Sequence, residues 1–250
     1  VTGIDRERLE REGWLQYGQL LSAAELEALQ RATDALEQAA SELVRDTRIH
    51  GVFFELQSLT GQKGQGAVFP GALRKITSPS KGQPAFAKLR QHPRVIELLR
   101  ACGLPEPRCF IDQVNFKLPH VGTRFPYHQD ENFLFGEALS SVQSFGGLNL
   151  VIALDAADEG NGGFEVLGRT HDSGLVNVPY DMNKMNNAGF DESHRASPAL
   201  MPGDAVLFHP RLAHGSGPNR SDRRRRLITL WYGGGPSDAL GGSVGSCECR

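Results

Sequence analysis

Lysine, methionine and tryptophan are scarce in this 250-residue chain: three methionines, two tryptophans, and six lysines among 27 basic residues. No charge of either sign dominates, since 29 acidic residues leave a formal net charge of -2 and a pI near 6.5. That balance excludes electrostatic capture of nucleic acid or of an anionic membrane as the basis of function. Long hydrophobic runs are absent as well, and without about eighteen consecutive apolar residues no membrane-spanning helix is expected. The opening "VTGIDRERLERE" lacks the apolar core of a secretory signal, so a cytoplasmic location is expected. Cysteine is limited to Cys102, Cys109, Cys247 and Cys249, a usage that fits a reduced, cytoplasmic enzyme. No second cysteine or histidine pair accompanies the terminal "CEC", so Cys247 and Cys249 are read as part of a flexible tail, not a soft-metal site.

What is present divides the chain into a helical part and a strand-rich part. Asp5 can cap a short helix that Gly13 ends, and "WLQYG" reads as a short strand. Ser22 and Glu25 stand at capping-box spacing before a longer helix whose Leu26, Leu29, Leu36, Ala40 and Leu43 recur at helical period. Residues 46–83 mix aromatics with Gly, Ser, Pro and Gln and show no period. They are expected to form an irregular loop that folds over something through Phe53, Phe54, Phe69 and Leu73. Helical signals return in "PAFAKLRQ" and in "PRVIELLRACG", which Gly103 ends. Beyond Pro105, short apolar or alternating runs such as "CFIDQVNFKL", "LNLVIALD", "DAVLFH" and "RLITLWY" are separated by Gly, Asn, Asp and Pro. Helices first and many strands afterwards predict a mainly β domain, an antiparallel sandwich or jelly roll with a helical layer outside. One domain over 1–250 is expected: a helical part and loop at 1–104, a jelly-roll core at 105–236, and a tail at 237–250.

Within the strand-rich part, "YHQDENF" places His128 and Asp130 two residues apart, which in a strand puts both side chains on one face. Eight histidines are available for a third ligand, and His214 stands out, at a strand end in "HPRLAHGSGPNRSDRRRR". Two imidazoles and one carboxylate make the facial triad of non-haem Fe(II) oxygenases, and zinc accepts the same ligands. Arg225 lies eleven residues after His214, at the start of the apolar strand "RRLITLWY". A guanidinium leading into a buried strand needs an anionic partner, and it can clamp a dicarboxylate bidentately.

The blocks "FPYHQD", "ALDAADEGNGGFEVLGRTHDSG" and "MPGDAVLFHPRLAHGSGPNRSDRRR", with "LEREGWLQYGQLLSAAELEAL" before them, resemble the phytanoyl-CoA dioxygenase family in the family's own order. The resemblance covers most of the chain and is weakest over 46–83 and 172–200, the segments assigned to the substrate. It implies a double-stranded β-helix enzyme dependent on Fe(II), 2-oxoglutarate and O2, with release of succinate and CO2. By position it implies His128, Asp130 and His214 as iron ligands and Arg225 on the far carboxylate of 2-oxoglutarate, with Ser216 hydrogen-bonding nearby. Asn115, Lys117 and Gln129 follow as further cosubstrate contacts. Val151 departs from relatives that carry a tryptophan there, so contacts through that ring do not transfer. The carboxylate of Asp130 fills the position that related halogenases leave to halide, which favours hydroxylation or a related oxidation.

The expected partner is a small-molecule substrate, an amino acid or secondary-metabolite intermediate, because no lysine cluster offers to hold a CoA phosphate. Oligomeric state is not legible. Two rival readings stay open: a jelly-roll zinc hydrolase or isomerase, and a non-catalytic ligand-binding member of the fold. His209 is expected to satisfy a backbone group and His171 to be structural or at the rim. Asp155 and Asp158 read as turn residues, Arg124 as facing either an anionic substrate or a surface carboxylate, and "NKMNNAGFDESH" as a lid or an exposed connection.

Overall fold

In the computed structural model, residues 4–58, 68–120, 124–176 and 189–236 are described. The expected features of the tail, including Cys247 and Cys249, and the first half of "NKMNNAGFDESH", residues 183–188, lie outside the described residues. Helix α1 (Arg6–Glu12) starts under the Asp5 side chain, which accepts from the Arg8 amide, and stops at Gly13 in the left-handed region with φ of 78°. Strand β1 (Trp14–Tyr17) follows, and helix α2 (Ala23–Ala40) begins with a reciprocal capping box between Ser22 and Glu25.

Strands β2 (Thr47–Ile49), β3 (Val52–Ser58) and β4 (Val68–Thr77) occupy the segment whose sequence reads as an irregular loop. These strands overturn that expectation, and in β3 the reason is burial on both faces. Val52, Phe54 and Leu56 alternate into the main core. Glu55, Gln57 and Ser58 are buried too, so the pattern carries no solvent-facing polar stripe to mark a strand. Gly71, at φ of 69°, adds an irregularity to β4, where a Cβ would lie 2.4 Å from the Ser41 carbonyl oxygen.

Helices α3 (Pro84–Leu89) and α4 (Pro93–Ala101) each carry proline in the first turn, where its missing N–H costs nothing. The chain continues through β5 (Arg108–Lys117), β6 (Phe125–His128), α5 (Gly136–Phe145), β7 (Gly147–Ala153) and β8 (Phe164–Leu167). Strands β9 (Arg195–Ala196), β10 (Ala205–Phe208), β11 (His214–Ser216) and β12 (Arg225–Gly233) complete the described elements. Eight strands form one antiparallel sheet in the order β1-β10-β7-β12-β5-β4-β3-β2, and four form a smaller one, β6-β11-β8-β9. The two sheets make a jelly roll with helices on the outer face of the larger, as the sequence pattern predicts. Among the described residues no helix is long and apolar enough to cross a membrane.

The larger sheet has two different faces. Outward, Val114, Phe116, Leu150, Ile152, Ile228 and Leu230 pack with Leu29 and Leu36 of α2 and with helices α3 and α4. Each such fully buried side chain contributes about 1.5–3 kcal/mol. Inward, Val151, Ala153, Val206, Phe208 and Leu227 meet Phe164 and Val166 of the smaller sheet. Adjacent residues of β12 therefore serve opposite sides. Arg226 turns outward, paired twice at 2.9 Å with Asp155 and joined by Asp34 at 2.6 Å and Glu37 at 3.0 Å, both on α2. Asp155, read as a turn residue, is thus half of an ion pair that ties α2 to the sheet.

Replacing Arg226 with methionine should lower unfolding free energy by about 2 kcal/mol, below the roughly 3–5 of a fully buried pair, because Asp34 remains half exposed. Urea denaturation checks this, and a loss under about 0.5 kcal/mol would mean that the cluster is no stronger than a solvated pair.

Candidate active site

Strands β6 and β11 pair so that His128 lies directly opposite His214. Strand β6 ends at His128, and Asp130 opens a short 3-10 turn through Phe133. The carboxylate therefore reaches the histidines through a turn, not along the extended strand that simple alternation suggests. Its Oδ1 lies 3.4 Å from the Nε2 of His128 and 3.4 Å from the Nε2 of His214. The ligand atoms of all three residues lie within 4.8 Å of one another, and all three residues are buried.

The protons of this cluster follow from its hydrogen bonds. His128 Nδ1 lies 3.0 Å from the Pro126 carbonyl oxygen and His214 Nδ1 lies 3.0 Å from that of Leu212. A carbonyl only accepts, so each Nδ1 bears a proton and each Nε2 is the nitrogen turned to Asp130. Burial opposes charge on all three groups. It pushes His128 down, helped by His214; in His214 the Asp130 carboxylate outweighs burial and raises the imidazole. Asp130, which burial alone would raise, is held well below the usual carboxylate range by His214 and His128. Two Nε2 atoms and one carboxylate oxygen, converging with the Nδ1 atoms fixed, are the donor set of a divalent metal.

Rings close this pocket. Phe125 and Phe133 stand edge-on to His128, with centroids at 4.7 and 5.7 Å, and Phe208 lies 4.7 Å from the His214 ring. Arg74 covers Phe125, with its guanidinium carbon 5.2 Å from the ring centroid, and is paired with the buried carboxylate of Glu55. Neither Arg74 nor Glu55 stands out in the sequence, because both belong to the segment whose strands carry no polar stripe.

Arg225 lies across the interior on β12, directly opposite Lys117 on β5, and Leu227 opposes Asn115. Directly opposed residues share a face, so Arg225, Lys117 and Asn115 all turn inward. Arg225 is buried; its Nε donates to the Gly162 carbonyl at 3.0 Å and its Nη1 to the Asn115 carbonyl at 3.1 Å. Among the described residues no carboxylate pairs with it, and burial pushes its guanidinium down to about 9. Lys117 Nζ donates to the Gly217 carbonyl at 2.8 Å, and burial, reinforced by Arg225, brings its amine down to about 6. A buried guanidinium and a buried amine side by side in the interior, each hydrogen-bonded to a backbone carbonyl, form a seat for an anion.

The remaining expected residues divide. Ser216 follows His214 by two positions on β11 and is buried. The Asn115 amide donates to Thr229 Oγ1 at 3.0 Å. Gln129 is placed differently from expectation. Its Nε2 donates to the carbonyls of Gly174 at 2.8 Å and Arg211 at 2.7 Å, while its Oε1 accepts from the Val176 amide at 2.8 Å. Both ends of that amide are committed to backbone, so it braces the metal turn instead of facing a cosubstrate. His209 Nδ1 accepts from the Arg211 amide at 3.0 Å, and burial beside His171 takes it down to about 4. His171 packs against it and contacts the Glu10 carbonyl at 3.0 Å. Asp158 caps the turn Glu159–Asn161, and Arg124 approaches the buried carboxylate of Glu165 at 4.0 Å. Sequence reasoning missed Asn149, whose Nδ2 donates to Asp130 Oδ2 at 2.6 Å. A polar residue inside the apolar run "LNLVIALD" was the available signal.

Comparison with known proteins adds to this geometry. A mouse protein, phytanoyl-CoA dioxygenase domain-containing protein 1, is 30% identical over 189 residues, covering 71% of this chain and 63% of that protein's length. A protein of Stutzerimonas stutzeri named as a probable alpha-ketoglutarate-dependent hypophosphite dioxygenase is 28% identical over 169 residues, covering 64% of this chain and 57% of its own. Among solved structures, EctD from S. alaskensis with 2-oxoglutarate and 5-hydroxyectoine superposes with a TM-score of 0.68 at 19% identity, covering 94% of this chain and 76% of that one. The profile of the phytanoyl-CoA dioxygenase (PhyH) family matches residues 9–227, and the chain belongs to that family.

Proposed function

We propose that this protein is an Fe(II)- and 2-oxoglutarate-dependent oxygenase that hydroxylates a small molecule. The observation that carries the reading is the pairing of two sites in one interior: a buried His128–Asp130–His214 cluster and a buried Arg225 with no carboxylate partner among the described residues. A zinc hydrolase or isomerase accounts for the first and leaves the second without a purpose. Membership of the family and the relatives' cosubstrate support the same choice.

In this reading His128, Asp130 and His214 hold the iron, and Arg225, Lys117 and Ser216 receive the far carboxylate of 2-oxoglutarate. When bound, the iron and cosubstrate supply the oxidising chemistry, with O2 consumed and succinate and CO2 released. The chain's own residues position and enclose. The Pro126 and Leu212 carbonyls fix both imidazoles. Phe125, Phe133 and Phe208 keep water from the ligands. Substrate is a small molecule, an amino acid or secondary-metabolite intermediate.

Anaerobic addition of Fe(II) and 2-oxoglutarate to metal-free protein should produce a saturable visible charge-transfer band that His128→Ala abolishes. Tight Zn(II) binding without a band would favour the hydrolase reading. Arg225→Met should weaken 2-oxoglutarate binding about 30-fold or more, since the ligand's charge then lies buried and unpaired. Calorimetric Fe(II) affinity should hold, and the melting temperature should not fall, because an isolated buried cation leaves with the substitution. The cosubstrate's affinity should also depend on pH. A lysine at about 6 in the free protein must be protonated to face a dianion, so its bound value is raised. Binding is then strongest below pH 6 and weakens above it by up to about tenfold per unit until the bound value is reached. Lys117→Met should flatten that slope.

A further inference from the structure

We infer that Asn149 is a positioning residue that holds Asp130 to the metal by one oxygen, keeping open the coordination face that the cosubstrate and O2 need. This rests on the iron and 2-oxoglutarate reading above.

A carboxylate can bind a metal through one oxygen or both. With two histidines and one carboxylate oxygen as ligands, three neighbouring positions stay open. A cosubstrate that chelates through a carboxylate and a keto group takes two, leaving one for O2. If both oxygens of Asp130 bound the metal, one of those three would be lost.

The two oxygens of Asp130 are differently placed. Oδ1 stands equally far, at 3.4 Å, from both facing Nε2 atoms, which makes it the oxygen at the metal position. Oδ2 is turned to β7 and accepts from Asn149 Nδ2 at 2.6 Å. The carboxylate cannot donate, so the Asn149 nitrogen, not its oxygen, must face it. Asn149 and Asp130 are each 1% exposed, so no bulk water competes for that bond. The neighbours of Asn149 across the sheet are Phe208 on β10 and Trp231 on β12, both large and apolar in body. They hold the amide on a rigid central strand and leave it aimed at the carboxylate. A polar side chain in an otherwise apolar strand is costly unless it is paired, and its partner here is a ligand.

The test uses the metal-free protein with Fe(II) and 2-oxoglutarate under anaerobic conditions. Asn149→Leu removes the donor at similar size, and Asn149→Ala removes it without crowding the strand; thermal melts establish that each variant is folded. The expected result in Fe(II)-saturated variants is a 2-oxoglutarate Kd raised about tenfold or more, with a shifted or weakened charge-transfer band. Fe(II) affinity should stay equal or tighten, because a second oxygen joins the metal. Near-infrared magnetic circular dichroism of the Fe(II) site should change coordination pattern in parallel. The inference is overturned if a folded variant keeps its band and its 2-oxoglutarate Kd within about threefold. It is equally overturned if only Fe(II) affinity falls, since Asn149 would then merely orient the ligand. A wild-type protein without the band would sink the underlying reading, whereas a wild-type band retained in both variants would sink only the role of Asn149.

Discussion

The pairing of β6 with β11 is the constraint on which the site depends. His128 and His214 come from segments far apart in the chain, and one register places them face to face. A slip by one residue would turn one imidazole to the other side of the sheet and separate the ligands. What holds the register is burial on both sides of the small sheet. Inward, Phe164 and Val166 pack under β11. Outward, the Tyr127 hydroxyl donates to Glu165 at 2.7 Å, and Arg195 Nε donates to the same carboxylate oxygen at 3.3 Å. The register shifts between His214 and Ser216, immediately beyond the His128–His214 pair.

Residues whose chemistry is rare in an interior are legible in the sequence alone. His128, Asp130, His214 and Arg225 announce themselves because charge and metal-ligating groups beside apolar strands need a reason to be there. The helices are legible through Ser22 and Glu25, and through Gly13, whose capping roles are local. The strands of residues 46–83 are not, since β3, buried on both faces, loses its polar stripe, and Pro70 and Gly71 within β4 imitate a loop. Gln129 misleads for a related reason. Sequence shows that an amide lies between two ligands; only the fold shows that its hydrogen bonds go to the backbone of 174–176 and 211. Asn149 escapes notice because an asparagine takes its meaning from its partner, and Asp130 lies on a different element.

Arg225 and Arg226 show how one sheet serves two purposes. They are adjacent, equally buried and oppositely directed, so the pleat alone decides their fates. Arg226 meets three carboxylates and welds α2 to the sheet. Arg225 meets carbonyls, and among the described residues no carboxylate is hydrogen-bonded to it. A chain selected for stability alone would place an apolar residue at 225, since an unpaired interior cation costs several kcal/mol.

That cost has to be offset elsewhere, and the outer face of the same strand is where it is. Ile228 and Leu230 are wholly buried beneath the helices, as are Val114, Leu150 and Ile152 beside them. At about 1.5–3 kcal/mol for each such side chain, one strand pair exceeds the penalty of one inward cation. The helical layer is therefore a condition of the chemistry as well as a cover for the sheet. By making the outer face apolar and well packed, it lets the inner face hold Arg225 and Lys117 in positions that no folding advantage would select, while the smaller sheet and its turn carry Asp130 and the two histidines. Asn149 belongs to the same economy. Its strand is held by Leu148, Leu150 and Ile152 on the helix side, so its amide can be aimed inward at Asp130 without having to stabilise anything itself.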